Sequence, residues 1–560
     1  MRLPAGIAKR LLSPATLAVA VCIVSLAVFL PALKNGFVAW DDGPNLVDNP
    51  YYRGLGWPQL RWIWTNHLME HYVPLAWMSF ALDYVLWQQR SFGYHLTNIL
   101  IHSLNAGLFF WLALRLFQLA RPLEPTRTAS LIWGAAAAAL FFSLHPLRVE
   151  SVAWVTERRD VLSGCFYLLA VLAYLRRFRS HERKYYWFCL ALFVASVLSK
   201  EITVTLPVAL LVLDVYPLGR LGGSQGCFGA AARQVWIEKI PFFAVSVLDA
   251  AMTIYVAVRD HLPDTMQAMG WIPRFTITVY GMAFYLAKTI APVHLSPLYP
   301  LTRYKASPMA VPFVLSAIVV LFVTYAAFRL RRRWPVLLAA WTVYSVTLLP
   351  VGGIVHNGNQ ITADRYTYLS CMGWALLFGA AVMACLEIDR FHAPAWRAPL
   401  VGFLVLLAAA LGWQTRAQIH YWHDSETLWR HAIGEEASPL ALTNLGAAYF
   451  NEGDSLGALD LYQRAIQMDP AYAVAHNNLG GAYLDLHRLD EAIHEFQIAQ
   501  ELMPAMAAAY NGKGNALSLE GKLDEAISNY RRAVELNPDY AGARKNLERA
   551  LAHKQRQSSE

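Results

Sequence analysis

Hydrophobic and polar positions divide this chain into two stretches. From residue 11 to about 414, long apolar runs alternate with polar loops, whereas the remainder is polar and repetitive. The first run, Leu11–Leu33, has about 23 residues, enough to span a bilayer with some tilt. Further runs lie near 95–114, 129–147, 161–175, 185–199, 202–218, 240–258, 276–291, 309–328, 335–351, 367–386 and 398–414. Several are shorter than the ~20 residues of a straight helical span.

Basic residues orient these runs. Arg115, Arg121 and Arg127 form one cluster, and Arg176, Arg177, Arg179, Arg183 and Lys184 a second. Arg220, Arg233 and Lys239 form a third, Arg329, Arg331, Arg332 and Arg333 a fourth, and Arg390 with Arg397 closes the set. All of these, with Arg2, Lys9 and Arg10, are expected on the cytoplasmic side. Three runs separate the third and fourth clusters, which would place them on opposite sides. The short run 276–291 contains Lys288 and ends at Pro292, so it is read as re-entrant or interfacial. Eleven spans remain, with the N-terminus inside and everything after about 415 outside.

Residues 439–538 repeat with a 34-residue period. Pro470, Pro504 and Pro538 mark it, as do Gly446, Gly480 and Gly514, Ala458, Ala492 and Ala526, and the aromatics Tyr462, Phe496 and Tyr530. Asn444 and Asn478 with Gly512 add a looser series. This is the tetratricopeptide pattern of paired antiparallel helices, which stack into an α-solenoid and bind peptide segments. Three repeats precede a capping helix at Ala541–His553.

Composition narrows the class. The 560 residues are 56% hydrophobic and 15% charged, against roughly 45–50% and ~25% for a soluble domain. The net charge of +8 is accounted for by cytoplasmic loops, so no nucleic-acid partner is expected. None of the six cysteines sits in CxxC spacing, and no zinc site, redox pair or disulfide framework is implied. Met1–Arg10 is basic and no small-residue cleavage site follows Leu33, which predicts an uncleaved anchor.

The polar residues of the membrane half concentrate in loops that this topology places on one outer face. The first contains Trp40-Asp41-Asp42-Gly43-Pro44. The second runs from His145 through Arg148 and Glu150 to Trp154, then Glu157, Arg158, Arg159 and Asp160. A short turn holds Lys200 and Glu201, and a last loop holds His356–Gln360 followed by Asp364, Arg365 and Tyr366. A carboxylate of the Asp41–Asp42 pair can deprotonate a hydroxyl. Arg365, Lys200, Arg148 or Arg158 can hold a lipid phosphate and offset charge that develops on it as a leaving group. His145, Glu150, Glu157, Arg159, Asp160, Glu201 and Tyr366 are supporting candidates. These parts describe sugar transfer from a lipid phosphate to a hydroxyl, with no metal required. A divalent metal has no support in the residues.

Each feature also has a structural reading. Asp41 and Asp42 form an ordinary loop pair, the Glu157–Asp160 run a charge-balanced interfacial cap, and Lys200 with Glu201 an ion pair closing a turn. His71, His145 and His294 read as loop or core histidines, Lys288 as a snorkelling side chain, and Leu60–Met69 as an interfacial helix.

The Asp41–Asp42 loop, the HPLRVESVAW and ERRD segments, the SKE turn and the DRYTYL segment, followed by the repeats, resemble the transmembrane and tetratricopeptide-repeat protein O-mannosyltransferases, over about residues 10–540. The resemblance implies an all-α chain, with a polytopic GT-C-type membrane domain followed by a tetratricopeptide α-solenoid. It implies inverting transfer of a sugar from a polyprenyl phosphate to protein hydroxyls on the outer or lumenal face. Asp41 and Asp42 map to the catalytic centre, and Arg365 to a donor-phosphate contact. The expected organisation is a transferase domain over 1–414, a connecting helix over 415–438, repeats over 439–540, and a cap and tail over 541–560. The compact repeat array and the cysteine usage point to a bacterial inner membrane with periplasmic repeats. The alternatives are a transferase acting on a lipid or glycan, and a non-catalytic scaffold recruiting partners through the repeats.

Overall fold

The computed structural model describes residues 13–69, 71–121, 128–222, 226–259, 270–301, 308–353, 360–388 and 394–557. Expectations for the basic start through residue 12, Arg127, His356–Asn359 and Arg390 lie outside the described residues. The chain divides into two compact units, Met1–His423 and Asp424–Glu560.

The first unit opens with α1 (Pro14–Phe29), α2 (Trp57–Thr65), α3 (Pro74–Trp87), α4 (Ser91–Ala120) and α5 (Thr128–Ser143). The short α6 (Val149–Ala153), α7 (Arg158–Ser180), α8 (Lys184–Val197), α9 (Leu206–Val215), α10 (Ala230–Arg259) and α11 (Trp271–Ile290) follow. After β1 (Tyr299–Pro300) come α12 (Val311–Arg329), α13 (Pro335–Leu348), β2 (Gln360–Thr362), α14 (Thr367–Ser370), α15 (Met372–Glu387) and α16 (Pro394–Tyr421). The strands pair antiparallel. Local chemistry sets the helix starts: the Ser13 side chain accepts from the Thr16 N–H at 3.2 Å and Pro14 follows it.

Six described helices are long and apolar enough to cross a membrane: α1 with its continuation to Lys34, α4, α7, α10, α12 and α16. Two bent pairs bring the number to eight, α5 with Pro146–Ala153 and Asp364–Ser370 with α15, each bent by 58°. The other three of the eleven expected spans fall short. Helices α8 and α13 have 14 residues and α9 has 10, below the ~20 a straight crossing needs. Run 276–291 falls, but for its last residue, within the 20-residue α11, which is not among the apolar crossings. At its end Lys288 donates to the Val293 and His294 carbonyls.

Close packing holds the bundle. A Cβ on Gly379 would lie 2.4 Å from the Gly134 carbonyl oxygen, and one on Gly134 2.8 Å from that of Gly379. Helices α5 and α15 therefore touch backbone to backbone, the contact that small residues allow between helices in membranes.

The third basic cluster is joined to buried acids. Arg220 and Lys239 are not free loop charges. Lys239 and Arg220 pair with the fully buried Asp214 at 2.6 and 2.8 Å, and Arg220 and Arg177 pair with Glu238 at 2.6 and 2.8 Å. The Tyr174 hydroxyl donates to Asp214 at 2.7 Å and accepts from Lys239 at 2.6 Å. Asp214 lies at the end of an apolar run, so the sequence did not show its pairing with these cations.

The second unit holds α17 (Ser425–Glu435), α18 (Pro439–Asn451), α19 (Ser455–Met468), α20 (Ala473–Asp485), α21 (Leu489–Leu502), α22 (Ala507–Leu519), α23 (Leu523–Leu536) and α24 (Ala541–Gln557). Segment 415–438 is not one connecting helix: its start completes α16, and α17 follows separately. The 34-residue coincidence of glycine and aromatic has a steric cause. A Cβ on Gly446 would meet the Tyr462 ring at 2.6 Å, and one on Gly514 the Tyr530 ring at 2.6 Å. Gly512 breaks the asparagine series because a Cβ there would lie 2.4 Å from the Phe496 ring.

Candidate active site

The two bent pairs and the start of α7 build the site. Pro146 lacks an amide hydrogen, so the helix ending at Ser143 cannot run on through it. The His145 ring accepts from the Leu147 N–H at 3.3 Å and caps the new turn. The turned-off tip carries Arg148 and Glu150, and the other bent pair carries Arg365 and Tyr366 on its tip. Both tips meet the first turn of α7, which holds Arg158, Arg159 and Asp160.

Charges there alternate in a buried network. Glu157 lies at its centre, accepting from Arg159 Nη2 and Lys200 Nζ, each at 2.7 Å, with Arg365 Nε at 3.4 Å. Lys200 also bridges to Asp160 at 2.8 Å, whose other oxygen accepts from Ser151 at 3.0 Å. Arg365 pairs with Glu150 through its guanidinium, and its backbone N–H donates to the same carboxylate at 2.8 Å. Arg159 reaches outward to Asp41 Oδ2 at 3.9 Å. Burial opposes ionisation of Glu157, yet Arg159, Lys200 and Arg365 outweigh it and hold its carboxyl well below the usual range. Burial likewise disfavours the Lys200 ammonium, but Asp160 and Glu157 raise its pKa. Removing any one member leaves a buried charge without its partner, the costly half of such pairs.

Asp41 and Asp42 separate into different environments. Asp42 is 1% exposed. Its Oδ2 accepts from the Val38 N–H at 3.1 Å, and its Oδ1 accepts from the Thr156 N–H at 3.0 Å and hydroxyl at 2.5 Å. Burial pushes its carboxyl up to about 6, against the Thr156 hydrogen bonds. Asp42 thus ties the first loop to the Thr156 loop. The Asp41 side chain keeps 21% exposure. Burial raises its pKa while Arg159 opposes the rise. Trp40 stacks on Trp154 at 4.6 Å, and the Arg365 guanidinium lies over the other residue of that stack, Trp154, at 5.4 Å.

Not every expected residue joins the network. Arg158, fully buried, turns away and bridges to Asp83 at 2.5 Å. It donates to Asn98 Oδ1 and the Tyr94 carbonyl, each at 2.7 Å, and lies over the Phe80 ring. Adjacent helical positions face different sides, so Arg158 braces α3 and α4 while Arg159 faces the site. Lys200 and Glu201 do not pair with each other. Glu201 pairs with His71 Nδ1 at 3.1 Å, and that neighbour overcomes burial to bring its carboxyl down to about 2. Arg148 lies below the network, donating to Thr367 Oγ1 at 2.7 Å and facing the Phe142 and Tyr368 rings; among the described residues it forms no ion pair. His145 Nε2 meets the Thr289 carbonyl at 3.1 Å. Tyr366 lies under the Arg365 guanidinium at 5.0 Å. Among the described residues, no group of three or more metal-ligating side chains converges.

Three residues that the sequence reading did not assign to the site also belong to it, His71 among them, which had read as a loop or core histidine. His71 stands on the turn between α2 and α3, 130 positions from Glu201, and lies near enough to Asp41 to act on it electrostatically. Asn45 links that turn to the first loop, donating to the Asp41 carbonyl at 2.8 Å and to Met69 Sδ at 3.2 Å. Thr156 sits between a tryptophan and the charged run and shows its role only through Asp42.

Comparison with known proteins agrees with this architecture. The family models for the tetratricopeptide repeat and the TPR repeat match residues 507–540 and 446–487. Protein O-mannosyl-transferase Tmtc1 of Drosophila melanogaster is 34% identical over 28% of this chain and 17% of that protein. Protein O-mannosyl-transferase TMTC1 of Homo sapiens is 25% identical over 83% of this chain and 56% of its own length. Protein O-mannosyl-transferase F38B6.6 of Caenorhabditis elegans is 23% identical over 80% and 62%. The chain thus spans less than two thirds of the length of each of these relatives. Among solved structures, the first TPR of Spaghetti (RPAP3) bound to an HSP90 peptide is 29% identical over 21% of this chain and 92% of that one, with a TM-score of 0.20. By these matches and by its repeats, the chain is similar to the TMTC-type protein O-mannosyl-transferases.

Proposed function

We propose that this chain is an integral-membrane glycosyltransferase that moves a sugar, mannose by the names of its relatives, from a polyprenyl phosphate to a protein hydroxyl. The observation that carries the reading is the division of labour in the aspartate pair. Asp42 has its oxygens committed to three hydrogen bonds, whereas Asp41 stays partly open beside Arg159. Asp41 is then the general base, taking the proton of the acceptor hydroxyl as its oxygen attacks the anomeric carbon. The bond to phosphate breaks on the opposite face, so one carboxylate suffices and the configuration inverts.

Charge growing on the leaving phosphate needs fixed cations. Arg159, which reaches Asp41 at 3.9 Å, and Arg365, which shares Glu157 with it, are the proposed contacts. Lys200, shared by Glu157 and Asp160, holds them in place, and Arg148 supports the floor of the site. The acceptor peptide is held by the repeats, and the site faces the outer side of the membrane. No residue in this scheme calls for a metal. Sugar transfer to peptide hydroxyls in membranes carrying Asp41→Asn or Asp42→Asn, with a polyprenyl-phosphate sugar as donor, tests it.

A further inference from the structure

An apolar crevice of ≈ 240 Å³ runs between α4, α7, α9, α13 and α15. Phe109, Leu116, Val171, Leu213, Ala340 and Leu376 are among the side chains lining it. One end reaches Leu369 and Met372, at the junction of α14 and α15. Arg121 and Tyr216 line the other end.

Basic side chains outnumber acidic ones around the Arg121 end. The Arg121 side chain is 40% exposed and bridges to Glu387. Earlier on α4, Arg115 donates to Gln118 at 3.0 Å and lies within electrostatic reach of Arg176 and Arg179 in the last turns of α7. Among the described residues Arg115, Arg176 and Arg179 form no ion pair. Like charges gathered in this way repel one another, and a bound anion relieves the repulsion.

This end is far from the candidate active site. Arg158 and Arg177 are 19 positions apart on α7, which is about 28 Å of helix rise and close to the ~30 Å thickness of a hydrocarbon core. A donor whose phosphate meets Arg159 and Arg365 does not also place that phosphate at Arg121.

We propose that the crevice is a binding site for an anionic phospholipid, with one acyl chain between the helices and its phosphate at Arg121, in the field of Arg115, Arg176 and Arg179. Basic pockets between membrane helices take such headgroups. The apolar walls take the chain, filling space that is otherwise without contacts. The site is independent of the transferase reading.

The test is the thermal midpoint of the full chain in neutral detergent, titrated with dioleoylphosphatidylglycerol, dioleoylphosphatidylcholine or an uncharged polyprenol. The anionic lipid should raise the midpoint saturably, with half-effect at a concentration at least about tenfold below that of the zwitterionic lipid. Arg121→Gln should remove most of this preference. Arg115→Gln, which leaves the Glu387 pair intact, should weaken it several-fold, while Arg61→Gln on α2, which packs at the candidate-site end, should leave it unchanged. Equal responses to the three lipids, or equal losses from Arg115→Gln and Arg61→Gln, would overturn the proposal.

Discussion

Thr156 donates twice to a single oxygen of Asp42, through its backbone N–H at 3.0 Å and its hydroxyl at 2.5 Å. Two loops more than a hundred residues apart are fastened there, and the neighbouring Asp41 is presented as a consequence. Thr156→Val removes the hydroxyl donor and should cost about 0.5–1.5 kcal/mol, seen as a lower thermal midpoint in detergent.

The same carboxyl gives a pH signature. Burial holds Asp42 at about 6 in the folded chain, against roughly 3.9 when unfolded. The folded state therefore binds this proton more tightly, so the contribution to stability is complete below about pH 4 and is lost as pH rises through 6. The difference in melting midpoint between the wild type and Asp42→Asn should change over that window and be flat above it. A difference independent of pH contradicts the assignment.

Lys200 serves two buried acids, Glu157 at 2.7 Å and Asp160 at 2.8 Å. Lys200→Met strands both and should destabilise by about 3–5 kcal/mol, enough to deplete folded protein in membranes. Adding Glu157→Gln removes one stranded charge and should restore part of the yield. If the double variant is as depleted as the sum of the singles, the two residues are not coupled as the network requires.

His71 acts on Asp41 at a distance and on Glu201 directly. A protonated His71 favours the ionised form of Asp41. His71→Gln should move the acidic limb of sugar transfer to higher pH while leaving the plateau rate within a few-fold. An unmoved limb separates His71 from the base.

Within the repeats, adjacent glycines should respond in opposite directions. A Cβ on Gly480 would lie 3.0 Å from the Phe496 ring, and one on Gly481 meets nothing within 4 Å. Gly481→Ala should stabilise α20 by about 0.5–1 kcal/mol, and Gly480→Ala should destabilise it, as read by proteolysis of the repeat unit in the full chain.

The repeats were fully legible because one steric rule, glycine against an aromatic ring, recurs every 34 residues. The spans were legible as apolar runs, but their lengths were not. Pro146 breaks one run with a bend, and α8, α9 and α13 fold shorter than a bilayer crossing. The candidate site was legible as loops with mixed charge. Which charge faces which was not, since Arg158 and Arg159 differ only by a rotation on α7, and Lys200 and Glu201 point to different partners. His71 read only as a loop or core histidine, because its meaning depends on a contact with Glu201 that only tertiary packing creates. The buried Asp214–Lys239 group shows the same limit in reverse: cations that count as loop charges in a positive-inside tally are closed into an ion network.

The central claim is that Asp41 is the base and Asp42 its anchor. The most direct measurement is the rate of sugar transfer from a polyprenyl-phosphate donor to a peptide hydroxyl, with each variant compared at equal amounts of folded protein. Asp41→Asn should lower the rate by about 10²–10⁴-fold with donor binding retained. Asp42→Asn should lose chiefly folded protein, with a smaller loss per folded molecule. Full activity in folded Asp41→Asn would contradict the account.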